Sequence, residues 1–335
     1  MKKFVNNPER FVDEALEGIV MAHGDKVCLA PGDERVLARV RKEGENEKVG
    51  IVTGGGFGHL PVFLGYVGKG LADSCAVGNV FSSPSSMQIF HAMEAAEYGK
   101  GVLQLFGCYQ GDKMNFQMAR MMAEEKGIPC ATVIVSDDVA SAPPEQRQLR
   151  RGIAGIMFVY KIAGACADTG ADLETVARIA QKAADATRTF GVSLSSCTIP
   201  AVGKPNFSIP EGKMEIGMGI HGEPGLSESE ILPADATADL LLEKLLEDNP
   251  CPAGSRVAVL VNGLGATPLE ELYILYRRTA KLCEERGIKI HRAYVGEFAT
   301  SLEMAGASIS VMKLDDELTK LLDAPCDSPF FMQKE

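Results

Sequence analysis

The sequence predicts an α/β protein built from two α/β domains with mixed, largely parallel sheets. The chain has 335 residues, which is more than one compact core usually takes. Hydrophobic residues make up 46% and charged residues 24% of the chain, a composition typical of globular proteins. Strand-like and helix-like segments alternate along the sequence, and this alternation indicates α/β layers.

The first predicted domain covers residues 1–190. Its predicted elements are a helix over 8–21, a strand ending at Leu29, strands over 48–53 and 102–106, a helix from Asp112, a strand over 130–135, and helices over 152–169 and 173–189. In the helix after Asp112 four methionines recur at helical spacing, namely Met114, Met118, Met121 and Met122. We interpret this stripe as core packing.

The second predicted domain covers residues 191–335. Its predicted elements are strands over 191–197 and 213–220, a helix over 236–246, a strand over 256–261, a helix over 268–286, and strands over 288–294 and 308–314. Both domains therefore follow the same alternating pattern.

Charge and cysteine usage narrow the class of function. The net charge of −11 disfavours a nucleic-acid or membrane-surface partner, because both are anionic. No run approaches the roughly 20 apolar residues of a membrane-spanning helix, and the first residues lack the apolar core of a signal peptide. The nine cysteines are scattered without a CxxC pair, so we expect no metal site and a reducing, cytoplasmic compartment.

The run GGGFGHLP, residues 54–61, follows a predicted strand directly. Glycines at that place allow backbone N–H groups to approach a small ligand, and the run contains His59. It lacks the Lys-Ser/Thr of a phosphate loop and the third glycine of a dinucleotide fingerprint. A structural turn is the alternative interpretation.

Asp112 lies where a predicted strand gives way to a helix. Ligands of parallel α/β sheets bind beyond the carboxyl ends of strands, where a carboxylate can act as a general base toward a hydroxyl. The alternative is a helix N-cap, for which aspartate is a common choice.

His221 stands between glycines in GMGIHGEPG, residues 217–225. A neutral imidazole can add to a ketone or aldehyde carbonyl and form a hemiaminal, a bond that a polyol such as glycerol could not form. The alternative is a turn histidine hydrogen-bonded to the backbone.

Taken together, GGGxGHxP, YxGDxxNF and GIHGEPG occur in the order found in the ketose-binding K subunits of dihydroxyacetone kinases, and the chain resembles that family along nearly its whole length. Supporting stretches are FSSPSSMQIF, RRGIAG, CTIPAVGKPNF and VNGLGATPLEELY. The resemblance implies a kinase subunit of K-subunit fold that is homodimeric. It also implies that a separate L subunit carries the nucleotide, as ADP or ATP with Mg, so that this chain itself holds no cofactor.

The resemblance also implies roles for single residues. His221 would hold the ketose as a hemiaminal, Asp112 would deprotonate the hydroxyl that receives phosphate, and His59 would position the substrate. The implied substrate-binding residues are Gly56, Phe57, Gly58, His59, Gly107, Asp112 and His221.

The sequence departs from the family pattern at the pocket. Phe57 and Leu60 replace serine and glutamate of the usual glycine run, and Gly107 and Cys108 replace lysine and asparagine before the tyrosine. Losing a cationic donor removes electrostatic help worth several kcal/mol in a transition state. The native ketose is therefore either dihydroxyacetone or a relative such as a tetrulose. A second hypothesis is a paralogue without catalysis that senses a ketose and acts as coactivator of a transcription regulator.

Overall fold

The computed structural model describes residues 2–334, in which strands and helices alternate as the sequence predicts. Its α-helices are α1 (Phe11–His23), α2 (Ser86–Ala95), α3 (Gln110–Glu125), α4 (Ile156–Asp168), α5 (Leu173–Ala186), α6 (Ala234–Asp248), α7 (Leu269–Glu285) and α8 (Asp316–Asp323). Its strands are β1 (Val27–Ala30), β2 (Asp33–Arg39), β3 (Lys48–Phe57), β4 (Ser74–Val80), β5 (Gly99–Gly107), β6 (Cys130–Val135), β7 (Thr187–Ser193), β8 (Lys213–Ile216), β9 (Ser227–Glu230), β10 (Arg256–Gly263), β11 (Lys289–Gly296), β12 (Gly306–Leu314), β13 (Cys326–Asp327) and β14 (Met332–Gln333).

The chain divides into two compact units, each assembled from more than one segment. The glycine-strand unit comprises Lys2–Val135, Met157–Ala183 and residues 318–334. The His221 unit comprises Ser136–Ile156 and Ala184–Glu317. The boundary expected after residue 190 lies inside β7, and the division into domains 1–190 and 191–335 stays a prediction.

The glycine-strand unit contains a six-stranded sheet in the order β1-β2-β4-β3-β5-β6. The strands β4, β3, β5 and β6 run parallel, and the β1–β2 and β2–β4 pairs are antiparallel. Every residue of β3 is buried, as expected for a central strand covered on both faces. This sheet is mixed and largely parallel, as predicted.

Helices α2 and α3 pack against this sheet. Their shared core contains Val52, Val102 and Phe106 from the strands and Ile89, Phe90, Phe116 and Ala119 from the helices. A capping box starts α2, because Ser85 Oγ accepts a hydrogen bond from Gln88 N while Gln88 Oε1 accepts one from Ser85 N at 2.8 Å. The sequence analysis did not predict α2, although the S-x-x-Q spacing indicates its start.

The prediction that the methionines of α3 form core is wrong for three of the four, since only Met122 packs against the core. Met114, Met118 and Met121 are 57%, 54% and 58% exposed, while Met122 is half-buried. The buried face of α3 carries Phe116 and small alanines instead, since alanine lets a helix approach a sheet closely.

The His221 unit contains a second six-stranded sheet, in the order β11-β10-β12-β7-β8-β9. The β10–β11 pair is parallel, and the other neighbouring strands run antiparallel. The expectation of largely parallel strands therefore holds for the first sheet only. Helices α6 and α7 pack on the second sheet through Leu241, Leu245, Leu272 and Leu282.

A buried ion cluster lies in the His221 unit. Asp248 accepts hydrogen bonds from Arg150 at 2.6 and 2.9 Å and from Arg188 at 2.5 Å. Burial alone would raise the pKa of Asp248, but the hydrogen bonds and charges of the two guanidinium groups outweigh burial and lower that pKa.

The last described residues return to the glycine-strand unit. Lys69 and Asp327 exchange two backbone hydrogen bonds of 2.9 Å, and the hydroxyl of Ser328 donates to Gly65 O at 2.7 Å. The amide of Gln333 donates to Leu322 O at 2.7 Å and so fixes α8 to the final strand. Within residues 2–334, each helix is too short or too polar to cross a lipid bilayer.

Candidate functional site

The glycines of GGGFGH belong to β3 itself rather than to a loop after it. Gly54, Gly55 and Gly56 pair with β4 in parallel register, so the strand continues to Phe57. A Cβ at Gly55 would lie 2.0 Å from the Phe63 ring, and one at Gly56 would lie 2.6 Å from Ser82 N. Close packing therefore requires glycine here. For the glycines, though not for His59, this supports the structural interpretation.

The same glycines lie where β3 and β5 separate. Pairing between these strands extends only from Lys48 to Val52 on β3, while β5 continues along β6 to Gly107. The carboxyl ends of both parallel strands lie at one edge of the sheet, the usual place for a ligand in α/β proteins. Gly56, Phe57 and Gly107 are thus grouped at this edge.

His59 follows this strand and is fully buried. Its ring stacks on Phe81 with centroids 4.8 Å apart, and the edge of Phe63 lies near it with centroids 6.3 Å apart. The neighbouring Phe57 side chain packs edge-on against Phe11 of α1, with ring centroids 5.8 Å apart. Two aromatic rings therefore fix the orientation of the His59 imidazole.

Asp112 occupies the first turn of α3, in the third helical position, and is 5% exposed. The N-cap is Tyr109, which makes no side-chain capping bond, so the alternative interpretation of Asp112 as N-cap is wrong. A carboxylate in this turn interacts favourably with the helix dipole.

A buried pair of hydroxyl groups lies in the same unit. The Oγ1 of Thr53 on β3 is 2.6 Å from the hydroxyl of Tyr160 on α4. Burial raises the pKa of Tyr160 well above its usual value, and the charge of Asp112 is among the smaller contributions in the same direction. The sequence analysis singled out neither hydroxyl, because neither belongs to a recognisable motif.

His221 lies in the other unit, on the loop between β8 and β9. Its side chain is 20% exposed, and its Nδ1 lies 2.8 Å from Oε1 of Glu223. The backbone N–H of His221 donates to the other carboxylate oxygen at 3.0 Å, and the amide of Asn206 donates to His221 O at 3.1 Å. The imidazole is therefore both held and accessible.

Glu223 is ionised at neutral pH. Burial by itself raises its pKa, but the hydrogen bond from His221 and the charges of His221 and Arg151 outweigh burial and lower the pKa to about 2. The guanidinium Nη1 of Arg151 lies 3.8 Å from Glu223 Oε2, and its Nε lies 2.7 Å from Asp138 Oδ2. The sequence analysis missed Glu223, although its place two residues after His221 in a glycine-rich turn brings it within reach of the ring.

The two mixed sheets with their packed helices are similar in fold to the dihydroxyacetone kinase of C. freundii. The kinase structure from C. freundii in complex with AMP-PNP and Mg²⁺ superposes with a TM-score of 0.90 at 32% identity, covering 99% of this chain and 61% of that one. The chain belongs to the Dak1 domain family, whose model matches residues 17–330.

The similar proteins include kinases and kinase subunits. The chain is 46% identical over 331 residues to the dihydroxyacetone-binding subunit of a PTS-dependent dihydroxyacetone kinase of Listeria innocua, covering 99% of both chains. It is 44% identical to an L-erythrulose kinase of Pectobacterium atrosepticum, covering 99% of this chain but only 56% of that protein. A dihydroxyacetone kinase operon co-activator is also similar in structure, with a TM-score of 0.89 at 29% identity over 97% of this chain and 99% of that one.

Proposed function

We propose that this chain is the ketose-binding subunit of a dihydroxyacetone-type kinase and that it holds its ketose as a hemiaminal on His221. One observation carries the proposal: in a chain 46% identical to a dihydroxyacetone-binding subunit, the imidazole of His221 is held by hydrogen bonds yet stays 20% exposed. A histidine that only stabilised its turn would not need an accessible ring.

The covalent step is an addition. A ring nitrogen lone pair forms a bond to the carbonyl carbon, and the π electrons of the C=O bond move to the oxygen. The oxygen takes up one proton from solvent, and the ring nitrogen that does not react keeps its proton, so the ring of the hemiaminal carries one positive charge. Glycerol has no carbonyl and is excluded, which gives chemical selectivity.

Asp112 then acts as the general base for the terminal hydroxyl that receives phosphate. Its burial in the first turn of α3, at the carboxyl edge of the parallel strands, supports this role. His59 positions the ketose, and the stacked Phe81 supports a fixed ring orientation. Gly56, Phe57, Gly58 and Gly107 line the same edge in this proposal.

The nucleotide is supplied by a partner, an L subunit carrying ADP or ATP with Mg²⁺. The name of the Listeria relative supports this, because it designates one subunit of a PTS-dependent kinase. The C. freundii kinase contains AMP-PNP and Mg²⁺, and this chain covers only 61% of it.

The substrate is a short-chain ketose, either dihydroxyacetone or a tetrulose. The 44% identity to an L-erythrulose kinase supports a four-carbon ketose as strongly as the Listeria relative supports dihydroxyacetone. The ring of Phe57 packs against Phe11, so α1 takes up part of the volume that Phe57 adds.

We also propose that the chain forms a homodimer in the cytoplasm. Strand β6 ends the first sheet, and its sequence CATVIV has neither charge nor proline to prevent edge pairing. A second copy related by a two-fold axis would pair β6 with β6 and cover Met118 and Met121, because antiparallel edges are self-complementary. Nine free cysteines support a reducing compartment.

The second candidate is a ketose-sensing coactivator, favoured by the similarity to the operon co-activator over 97% of this chain. Such a protein would bind ketose but would not need Asp112 as a base. A pull-down with an L subunit separates the two, because a stable complex contradicts the coactivator.

The test of the proposed function is phosphate transfer to a panel of ketoses with a matching L subunit and its phosphoryl donor present. We expect turnover of dihydroxyacetone, erythrulose or both, and none of glycerol. In parallel, [2-¹³C]dihydroxyacetone added to the chain should show its carbonyl carbon converted to a tetrahedral carbon, and His221→Ala should abolish that resonance. Absence of turnover on every ketose would contradict the proposed kinase function.

A further inference from the structure

We propose that Glu223 is a positioning residue for His221: it selects the ring tautomer that attacks the ketose and stabilises the charge that the attack creates. This inference rests on the proposed function of His221. It concerns a carboxylate that the sequence motifs left without a role.

One carboxylate holds His221 at two points. Oε1 of Glu223 lies 2.8 Å from the ring Nδ1, and Oε2 accepts the backbone N–H of the same histidine at 3.0 Å. Because the ring and the backbone of one residue bind to the two oxygens of one planar group, the ring cannot rotate without breaking a charge-assisted hydrogen bond.

The bond also decides which nitrogen reacts. An ionised carboxylate only accepts hydrogen bonds, so Nδ1 carries the proton and the lone pair is on Nε2. The low pKa of Glu223, about 2, keeps the group ionised throughout the neutral range. Nε2 is therefore the nucleophile, and it lies on the side of the ring away from Glu223.

The charge of Glu223 helps the addition itself. As the Nε2 lone pair is shared with the carbonyl carbon, positive charge develops on the ring, and the carboxylate at Nδ1 stabilises it. A buried aspartate acts in the same way on the histidine of serine-protease triads. The Nδ1 proton stays on the ring, and Glu223 stays ionised beside it.

A second layer holds Glu223. Arg151 is 13% exposed and lies 3.8 Å from Oε2; it is anchored by Asp138 at 2.7 Å and by Gly217 O at 3.0 Å. Gly219 provides the room, since a Cβ there would lie 2.1 Å from Glu223 Oε2 and 2.4 Å from Arg151 Nη1. Partners that orient metal-binding histidines affect metal affinity or activity by about 10- to 100-fold, and we expect an effect of that size on adduct formation here.

The alternative is that Glu223 only stabilises the loop. The chain offers a matched control in Glu215, whose Oε1 accepts the N–H of Gly225 in the same loop at 3.0 Å. Glu215→Gln removes the charge of a carboxylate that accepts a loop N–H, whereas Glu223→Gln removes the charge beside the ring. A purely structural role predicts similar effects of both substitutions.

The experiment combines two NMR measurements on the full chain. The ¹⁵N shifts of the His221 ring, assigned by comparison with His221→Ala, report the tautomer without any ketose. The tetrahedral ¹³C resonance of [2-¹³C]dihydroxyacetone reports the adduct constant. We expect the Nδ1–H tautomer in the wild type, its loss in Glu223→Gln with adduct formation weakened about 10- to 100-fold, and no change in Glu215→Gln.

Each other outcome overturns the inference. An Nε2–H tautomer in the wild type contradicts it without any variant, and so does a Glu223→Gln protein that binds ketose as tightly as the wild type. Should Glu223→Gln fail to fold by circular dichroism, Glu223→Asp replaces it, because a shortened carboxylate keeps the charge but cannot reach both His221 atoms. If the wild type forms no adduct with any ketose, the proposed function fails while the tautomer measurement still tests Glu223.

Discussion

The ring of Phe81 lies almost parallel to the imidazole of His59, with 4.8 Å between centroids and 14° between planes. Phe81 reaches this position with a φ of 58°, a left-handed conformation that is unusual for a bulky residue and costs roughly 1–2 kcal/mol. Its N–H donates to Phe57 O at 3.0 Å, so the end of the glycine strand holds Phe81 in place. The stack is therefore maintained against backbone strain.

Phe81→Leu should lower the free energy of unfolding by about 1 kcal/mol, the usual contribution of an aromatic pair beyond its buried area. Leucine keeps the strained φ, so the change isolates the loss of the stack. Urea unfolding followed by circular dichroism measures it. Phe4→Leu is the control, since Phe4 is 107% exposed, and equal stabilities of the two variants would contradict the role of the stack.

Asp112→Asn should leave the ketose adduct intact and slow phosphate transfer about 10²- to 10⁴-fold, because the amide cannot accept the hydroxyl proton. His221→Ala should lose both. Steady-state turnover with an L subunit, together with the ¹³C adduct resonance, separates the two effects. Asp316→Asn, on a side chain 99% exposed, is the control, and normal turnover of Asp112→Asn would show that Asp112 is not the base.

Gly219→Ala should weaken adduct formation without unfolding the protein. The new Cβ would lie 2.1 Å from Glu223 Oε2, and the flexible end of that side chain must move away from His221. Gly18→Ala is a matched control, because a Cβ at Gly18 meets nothing within 4 Å. The ¹³C titration measures adduct formation, and a thermal melt measures stability. Unchanged adduct formation in Gly219→Ala would show that Glu223 can be displaced without effect on the adduct.

Asp248→Ala should lower the free energy of unfolding by about 3–5 kcal/mol, because two buried guanidinium groups lose their shared carboxylate. Since the folded pKa of Asp248 is lowered, its stabilisation is complete above the unfolded value of about 3.9 and is lost as the pH falls through the lower folded pKa. Urea titrations at pH 7 and at pH 3 measure this. If wild type and Asp248→Ala differ in free energy of unfolding by as much at pH 3 as at pH 7, the proposed role of the Asp248 charge is contradicted.

The double variant Met118→Glu, Met121→Glu should convert a dimer to a monomer while leaving the unfolding curve of each chain nearly unchanged. Both side chains are more than half exposed, so charge there disturbs an interface rather than a core. Size-exclusion chromatography with light scattering measures the mass. Met21→Glu, at a site 77% exposed on α1, is the control, and a monomeric wild type would refute this dimer surface.

The sequence analysis predicted most of the alternating strands and helices, and it singled out both segments that carry the site histidines. Strand β3 was placed correctly but ended too early, because glycines usually terminate a strand and here they are required by the Phe63 ring and the Ser82 backbone. Strands β2 and β4 were missed, since DERVLAR and SCAVGNV mix polar and apolar residues without clear alternation. Which strands run antiparallel cannot be read from such patterns alone.

The sequence motifs predicted the site residues themselves but not the residues that contact them. His221, Asp112 and His59 stand out because glycines or a strand end surround them in the sequence. Glu223 is a neighbour in sequence, but its bidentate hold on His221 depends on the left-handed turn at Gly222. Phe81 and Arg151 are distant in sequence from the histidines they support, so only the fold brings them into the site.

The glycine-strand unit is closed by residues 318–334, which follow the segments of the His221 unit in the chain. While the chain is being made, the whole of the His221 unit has left the exit tunnel before Asp327 can pair with Lys69 or Ser328 can reach Gly65. The unit that holds Asp112 and His59 is thus completed only after the His221 unit has been synthesised, and until then nascent chains expose its unfinished surface to chaperones.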